Sequence, residues 1–268
     1  MIAFLLTATA LASMDPACEE IAAEGPPEGY TEQGQWDFLL NYFSLVTTFS
    51  PLHSAVPGEP GHASVGVELS VIPPLGCRRR LVLDYTKTED TNSFPVIPRP
   101  RVVFTLPQVG SITPYAGLGY VPPVPMFGAT TVIVSTEVGA GSELQSGLQL
   151  GGRFHGTLMK SVAEFASAFE EGGEVFEDFL MTSTFGLDLM AGYATDNLTP
   201  YLALGLTDVS TFFYVGDDGV VANNSTPYAG PVASVGAQSM VGPFDVAGEL
   251  YTAPGYLYTG RLRAGLAF

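Results

Sequence analysis

The stretch that decides the fold lies at the C-terminus and reads FDVAGELYTAPGYLYTGRLRAGLAF, residues 244–268. From position 256 onward every second residue is apolar or glycine, ending at Phe268, while the alternate positions include Arg261 and Arg263. Strict alternation of this kind indicates a β-strand with one apolar and one polar face. The last residues therefore predict a strand whose two faces meet different environments.

The preceding residues, 244–250, alternate in the same way and place Asp245 and Glu249 on their polar face. The tripeptide APG between the two segments predicts a turn, so the strands should pair antiparallel. This pairing predicts Asp245 opposite Arg263, with Glu249 diagonal to Arg261. Opposite charges would then meet on one face of the hairpin and apolar side chains on the other.

The same period of two continues through most of the chain. The further segments that alternate are 61–72, 99–106, 112–121, 130–140, 146–158, 181–193, 198–213 and 226–239. With the C-terminal pair they predict an all-β protein of about ten strands. Their polar faces contain small residues and paired charges with few lysines, and aromatic residues gather near the strand ends, which favours a membrane barrel over a secreted soluble sandwich.

Connection lengths support the same interpretation. Short turns are predicted at 107–111, 141–145, 194–197 and 240–243, and longer connections at 73–98, 122–129, 159–180 and 214–225. Short periplasmic turns alternate with long external loops in transmembrane barrels. The sequence therefore predicts an antiparallel transmembrane β-barrel over 61–268, with both ends of the chain on the periplasmic side.

Composition excludes several other classes. Only 14% of the 268 residues are charged, against roughly 25% in soluble domains. Lysine and arginine number 10 against 27 acidic residues, giving a net charge of −17. Nucleic-acid binding needs a basic surface, so no nucleic-acid partner is expected. No apolar run approaches the roughly 18 residues of a membrane-spanning helix.

The N-terminal part is predicted to contain three segments. The apolar run MIAFLLTATALA, residues 1–12, is interpreted as a signal peptide cut near Ala12. Residues 13–35 are acidic and rich in proline and glycine, which predicts a flexible periplasmic leader. Residues 36–60 form an apolar segment that fits a helical plug, although 36–48 also alternates passably as a strand.

The number of strands has two solutions. Ten strands leave 73–98 as one long outer loop, and twelve would add strands at 36–48 and 79–85. The two cysteines, Cys18 and Cys77, fit an exported protein with one disulfide, and only the twelve-strand version easily brings them together. Ten strands are favoured because prolines are costly in a sheet and this loop contains four.

Inward-facing charges are the candidate site residues. They are Glu68, Arg99, Arg101, Glu137, Arg153, Asp188, Asp245, Glu249, Arg261 and Arg263. They fit either a network that fills a narrow lumen or a polar constriction that selects solutes. His155 should face inward near Glu137 and Ser135, where a lumen histidine is favoured over a catalytic one. No enzyme activity, cofactor or metal site is predicted.

The final strand resembles the C-terminal signature of bacterial outer-membrane β-barrels. The residues that carry this resemblance are Tyr258, Leu262, Leu266 and Phe268. The segments ITPYAGLGY at 112–120 and LTPYLALGL at 198–206 resemble strands of small OmpA-type barrels, and a short apolar segment before a barrel is similar to FadL-type transporters. The resemblance implies a bacterial outer-membrane location and, as partners, outer-membrane lipid, lipopolysaccharide and the barrel-insertion machinery.

Two functions are consistent with these features. The first is a narrow channel or passage for small solutes, hydrophobic ones included. The second is a closed structural or adhesive barrel that acts through its acidic extracellular loops, 159–180 and 214–225. A barrel of about eight to ten strands is almost filled by side chains, which argues against a wide pore.

Overall fold

The computed structural model describes residues 14–89, 91–92, 95–126, 129–163, 177–215 and 220–268. The predicted signal peptide, 1–12, lies outside the described residues.

A 3-10 helix, three α-helices and thirteen strands make up the described chain. The helices are the 3-10 turn Pro16–Cys18, α1 Glu19–Glu24, α2 Glu32–Thr47 and α3 Cys77–Arg80. The strands are β1 Ala63–Val71, β2 Leu81–Val82, β3 Lys87–Thr88, β4 Val96–Thr105, β5 Thr113–Met126, β6 Ala129–Glu143, β7 Leu148–Ala163, β8 Asp178–Tyr193, β9 Thr199–Val215, β10 Val220–Asn223, β11 Ala229–Val241, β12 Phe244–Ala253 and β13 Leu257–Ala267.

Ten of these strands form a closed antiparallel barrel. In chain order β1, β4 to β9, β11, β12 and β13 each pair with the next, and β13 pairs back with β1. Strands β2 and β3 form a small separate hairpin. Strand β10 pairs antiparallel with the last four residues of β9, beyond the part of β9 that pairs with β11. The prediction of ten strands is confirmed.

The twelve-strand alternative is wrong. The proposed extra strand at 36–48 is helix α2, and the one at 79–85 divides between α3 and the small hairpin. Each of the ten barrel strands already has a barrel strand on both sides, so neither segment is part of the ring.

The two faces of the barrel wall differ as the alternation predicts. Outward side chains are apolar and exposed, such as Leu204 at 54% and Leu262 at 60%, whereas the inward Arg261 is fully buried. The four residues of the C-terminal signature, Tyr258, Leu262, Leu266 and Phe268, all face outward. An apolar outer surface around a polar interior is the arrangement of a barrel that spans a membrane.

No helix in the described part of the chain is long and apolar enough to cross a membrane.

The two ends of the barrel are distinct. At the turn end, the backbone of Ala63 pairs with that of Phe268, and short turns join β4 to β5, β6 to β7, β8 to β9 and β11 to β12. The opposite, loop end has the connection 72–95, which contains α3 and the β2–β3 hairpin.

Residues 32–60, which we call the plug, pass through the lumen from the loop end to the turn end. Helix α2 begins at the loop end, where Thr31 caps it and Ser225 donates to Asp37. After the helix the chain forms bends and irregular structure, and it leaves the lumen where the Gly61 amide donates to the carbonyl of Thr105.

The described part of the leader contains helices and lies at the loop end. Residues 14–31 contain the 3-10 turn and α1, and the disulfide between Cys18 and Cys77 ties them to α3. They lie at the loop end, opposite to the chain's C-terminus, because the plug threads the lumen before the first strand begins. Residues 14–31 therefore lie at the end opposite to Phe268, whereas the flexibility of the leader and its periplasmic location stay predictions.

Candidate functional site

The plug has an unusual need for hydrogen-bond partners. Between the end of α2 and Gly61 its backbone belongs to no helix or strand, yet residues 48–55 are buried. A buried backbone N–H or C=O without a partner costs free energy, so each needs an acceptor or donor from elsewhere. Charged and amide side chains of the barrel wall supply these partners.

Two arginines bind the carboxyl end of α2. Arg261 donates to the carbonyls of Thr48 at 2.5 Å and Val46 at 3.3 Å, and Arg99 donates to that of Thr47 at 3.0 Å. The last carbonyls of a helix have no partner within it and carry a partial negative charge. Buried guanidinium groups from β4 and β13 therefore satisfy and neutralise this helix end.

Two further arginines bind the irregular chain that follows. Arg153 donates to the carbonyl of Phe49 at 2.6 Å, and Arg101 donates to that of Ser50 at 2.8 Å. Arg101 also lies over the ring of Phe49, with 4.0 Å between the guanidinium carbon and the ring centroid. We call Arg99, Arg101, Arg153 and Arg261 the arginine cage.

Carboxylates link three members of the cage. Glu68 accepts from Arg99 at 2.7 Å and from Arg101 at 3.2 Å. Glu137 accepts from Arg101 at 2.7 Å and from Arg153 at 2.5 Å. All five side chains are buried, and buried charges are stable only when paired and hydrogen-bonded. The network therefore fixes each guanidinium in the position from which it reaches the plug.

Nearer the turn end, a carboxylate and two side-chain amides bind the plug. Glu249 accepts from the Leu52 amide at 3.1 Å, and Gln238 accepts from the Ser54 amide at 3.1 Å. Gln149 accepts from the backbone amide of Val56 at 3.3 Å. Neither glutamine is among the predicted site residues, although the alternation of the predicted strands places both side chains inward.

The predicted pairing of the last two strands is corrected in register. Ala247, and not Asp245, lies opposite Arg263, and Glu249 lies directly opposite Arg261. Asp245 and Arg263 nevertheless form an ion pair, since diagonal neighbours remain within reach of a long side chain. Glu249 and Arg261 form none, because both turn to the plug backbone.

In the described part of the lumen, the inward-facing His155 makes no hydrogen bond to a hydroxyl or thiol that could act as a nucleophile. His155 Nε2 lies 3.6 Å from Asp188, whose carboxylate accepts from Arg153 at 2.7 Å. The Ser135 hydroxyl is engaged instead with Arg99 and Thr157. A Ser–His pair for nucleophilic catalysis requires a direct hydrogen bond, which these two residues do not make.

The loop-end half of the lumen is mostly apolar, apart from a buried cluster of three hydroxyl groups on Ser44, Thr182 and Thr211. Leu40 of the plug packs on inward-facing apolar residues of the wall, and the cluster is Leu40, Val121, Ile133, Met159, Leu180 and Phe213. A second cluster buries the opposite face of α2, including Leu39, Tyr42 and Leu45. The expectation of a polar lumen thus holds mainly for the middle and the turn end, since the helix needs apolar partners on both faces.

At the loop end, several contacts join the leader to α3 and its hairpin. The predicted disulfide between Cys18 and Cys77 is present. Asp15 accepts from Arg80 at 2.7 Å and from the Ala17 amide at 3.0 Å, and both interactions hold the pKa of Asp15 below its ordinary value. The two cysteines meet in a ten-strand barrel, contrary to expectation, because the threaded plug brings Cys18 to the loop end.

Among the residues that the structure describes, no three His, Cys, Asp or Glu side chains cluster in a way that could hold a metal ion.

Solved structures of other barrels resemble this chain at low identity. The translocator domain of the autotransporter NalP from Neisseria meningitidis is 12% identical with a TM-score of 0.47, over 97% of this chain and 99% of that one. Ail, the attachment invasion locus protein of Yersinia pestis, is 12% identical with a TM-score of 0.35, over 78% and 100%. The P. putida toluene transporter TodX is 11% identical with a TM-score of 0.36, over 81% and 70%.

No protein-family model matches the chain, and no curated protein sequence matches it. At these identities and scores, the fold rests on the strand pairing and the apolar outer face described above.

Proposed function

We propose that this protein is an outer-membrane β-barrel that is closed by its own N-terminal segment and holds the leader on the outer surface of the cell. The apolar outer face supports a membrane location. Short turns at one end and longer connections at the other support an orientation with the loop end outside.

The observation that carries this proposal is the path of the plug. The plug runs through the lumen in the direction opposite to β1, so residues 14–31 emerge at the loop end. There the Cys18–Cys77 disulfide fastens them to α3. Disulfides form and persist in the periplasm and at the cell surface alike, so this bond supports an exported chain, and the orientation rests on the turn and loop lengths.

The filled lumen favours a closed barrel over an open passage. The cage arginines bind the plug at its middle, and Glu249, Gln238 and Gln149 bind it below. Solutes could cross the lumen only if these contacts were released. The alternative function, adhesion through the acidic loops, depends largely on residues 164–176 and 216–219, which lie outside the described residues.

The side on which the leader lies can be tested with an epitope inserted after Gly29, an exposed turn residue of the leader with a positive φ of 82°. The matched control carries the same epitope after Gly110, an exposed turn residue at the turn end with a φ of 64°. We expect antibody to label the Gly29 insertion on intact Gram-negative cells and the Gly110 insertion only after the outer membrane is permeabilised. The reverse labelling pattern would refute the orientation, and conductance of the unmodified full chain in a planar bilayer would refute closure.

The absence of enzyme activity and the roles of lipopolysaccharide, small solutes and the barrel-insertion machinery as partners stay predictions.

A further inference from the structure

A cavity of about 70 Å³ lies in the apolar half of the lumen, between α2 and the inward faces of β4 to β8. Its principal lining residues are Phe43, Val46, Val121, Ile133, Met159 and Leu180. No charged side chain is among its lining residues. The cavity is a property of the fold, whichever side of the membrane the loop end faces.

The few polar groups at the cavity are already bonded. The hydroxyls of Thr131 and Ser161 bond to each other at 2.6 Å, and that of Thr47 donates to the carbonyl of Ser44 at 2.8 Å. A site built for a polar ligand leaves donors or acceptors directed at the ligand. The hydroxyls at this wall already bond to protein groups and the rest of the lining is apolar, so its occupant needs no hydrogen-bonding group at the buried end.

The volume of the cavity and its access from the loop end further limit the kinds of molecule that can bind in it. An engineered apolar cavity of about 150 Å³ binds benzene, and the present one has about half that volume. Val121 at the cavity wall is buried, whereas Val124 is 49% exposed, so the cavity extends toward the mouth at the loop end. A narrow chain entering end-on fits these limits better than a ring.

We propose that this cavity binds the methyl end of an unbranched aliphatic molecule that enters from the loop end. Binding would remove apolar surface from water, and it requires no hydrogen bond from the cage. The site would therefore be occupied while the barrel remains closed.

Trp36 provides a readout because it is the only tryptophan in the chain. Its ring stacks on Phe213, with 6.5 Å between centroids, and Phe213 belongs to the same apolar cluster as the cavity lining. The probe is 1-bromohexane, whose bromine quenches indole fluorescence at short range, added to the full chain in phosphatidylcholine nanodiscs. We expect saturable quenching above the linear quenching that partition into lipid produces.

The blocking variant is Ala129→Leu, since Ala129 is buried at the cavity and leucine adds three carbon atoms. Its matched control is Val138→Leu on the same strand, where the side chain faces outward with 55% exposure. We expect the apparent affinity to fall at least about tenfold in Ala129→Leu and to stay unchanged in Val138→Leu. Equal saturable quenching in both variants would overturn the proposal, as would its absence from the folded wild-type chain.

If Ala129→Leu fails to fold, a second variant tests whether the cavity binds a ligand. Phe43→Ala enlarges the cavity from the plug side, so we expect it to bind bromobenzene saturably, which the wild-type chain should not. Folding of each variant is checked by its heat-dependent migration on a gel. A folded Phe43→Ala variant that binds neither probe would refute a ligand site between α2 and the wall.

Discussion

Replacing Arg261 with methionine should loosen the plug without breaking the barrel. The methionine keeps most of the length of the side chain but removes the donors to the carbonyls of Thr48 and Val46, at 2.5 and 3.3 Å. A hydrogen bond from a charged group contributes about 1.5–3 kcal/mol. One strong and one weak bond together give a loss of about 3 kcal/mol.

This loss can be expressed as a change in conductance. Since about 1.4 kcal/mol corresponds to a factor of ten, the equilibrium between bound and released plug should shift about a hundredfold toward release. Release would open a polar path through the middle of the lumen. In planar bilayers we therefore expect the open probability of Arg261→Met to exceed that of the wild-type chain by about this factor.

The matched control is the double variant Arg263→Met with Asp245→Asn. Arg263 lies two residues along the same strand and on the same inward face, but its bond is to Asp245 in the wall. Changing both members avoids leaving a buried charge unpaired. If the control opens as often as Arg261→Met, or if Arg261→Met stays as silent as wild type, the cage does not hold the plug.

Three further outcomes are expected. Cys18→Ser should make the leader sensitive to protease while the heat-dependent migration of the barrel stays unchanged. An uncleaved leader would show that the Cys18–Cys77 disulfide is not what holds it in place. In that variant, attachment of the leader to α3 should weaken as the pH falls below 3.8, which is the ordinary pKa of an aspartate such as Asp15. The pKa of Asp15 is lowered by a backbone N–H and an arginine, so its stabilisation is complete above that value and is lost on protonation, which protease protection across a pH series would measure. Gly117→Ala should destabilise the barrel by about 1–3 kcal/mol in a denaturant titration because its methyl group would collide with Glu137, whereas Gly260→Ala, with open space at the same atom, should not.

Much of the lumen could be predicted because a strand alternates its side chains strictly. Parity alone placed Arg101, Arg153 and Glu137 inward, and all three are buried. It could not assign partners, since these depend on register and on what fills the barrel. The predicted proximity of Glu249 and Arg261 is right, yet each binds the plug and not the other.

The sequence by itself determined an antiparallel barrel with an apolar outer face and favoured ten strands over twelve. It did so through the period-two alternation from residue 61 onward, the scarcity of lysine and the pattern of short and long connections. These are local properties, because a strand's faces follow from neighbouring residues alone. Only the tertiary structure decided the path of residues 14–60, the disulfide within a ten-strand barrel and the apolar cavity. Each depends on contacts between segments far apart in the chain, such as the packing of Phe43 of α2 against the wall cluster that includes Ile133 of β6. Each also depends on the hydrogen bonds that the plug backbone makes with the wall.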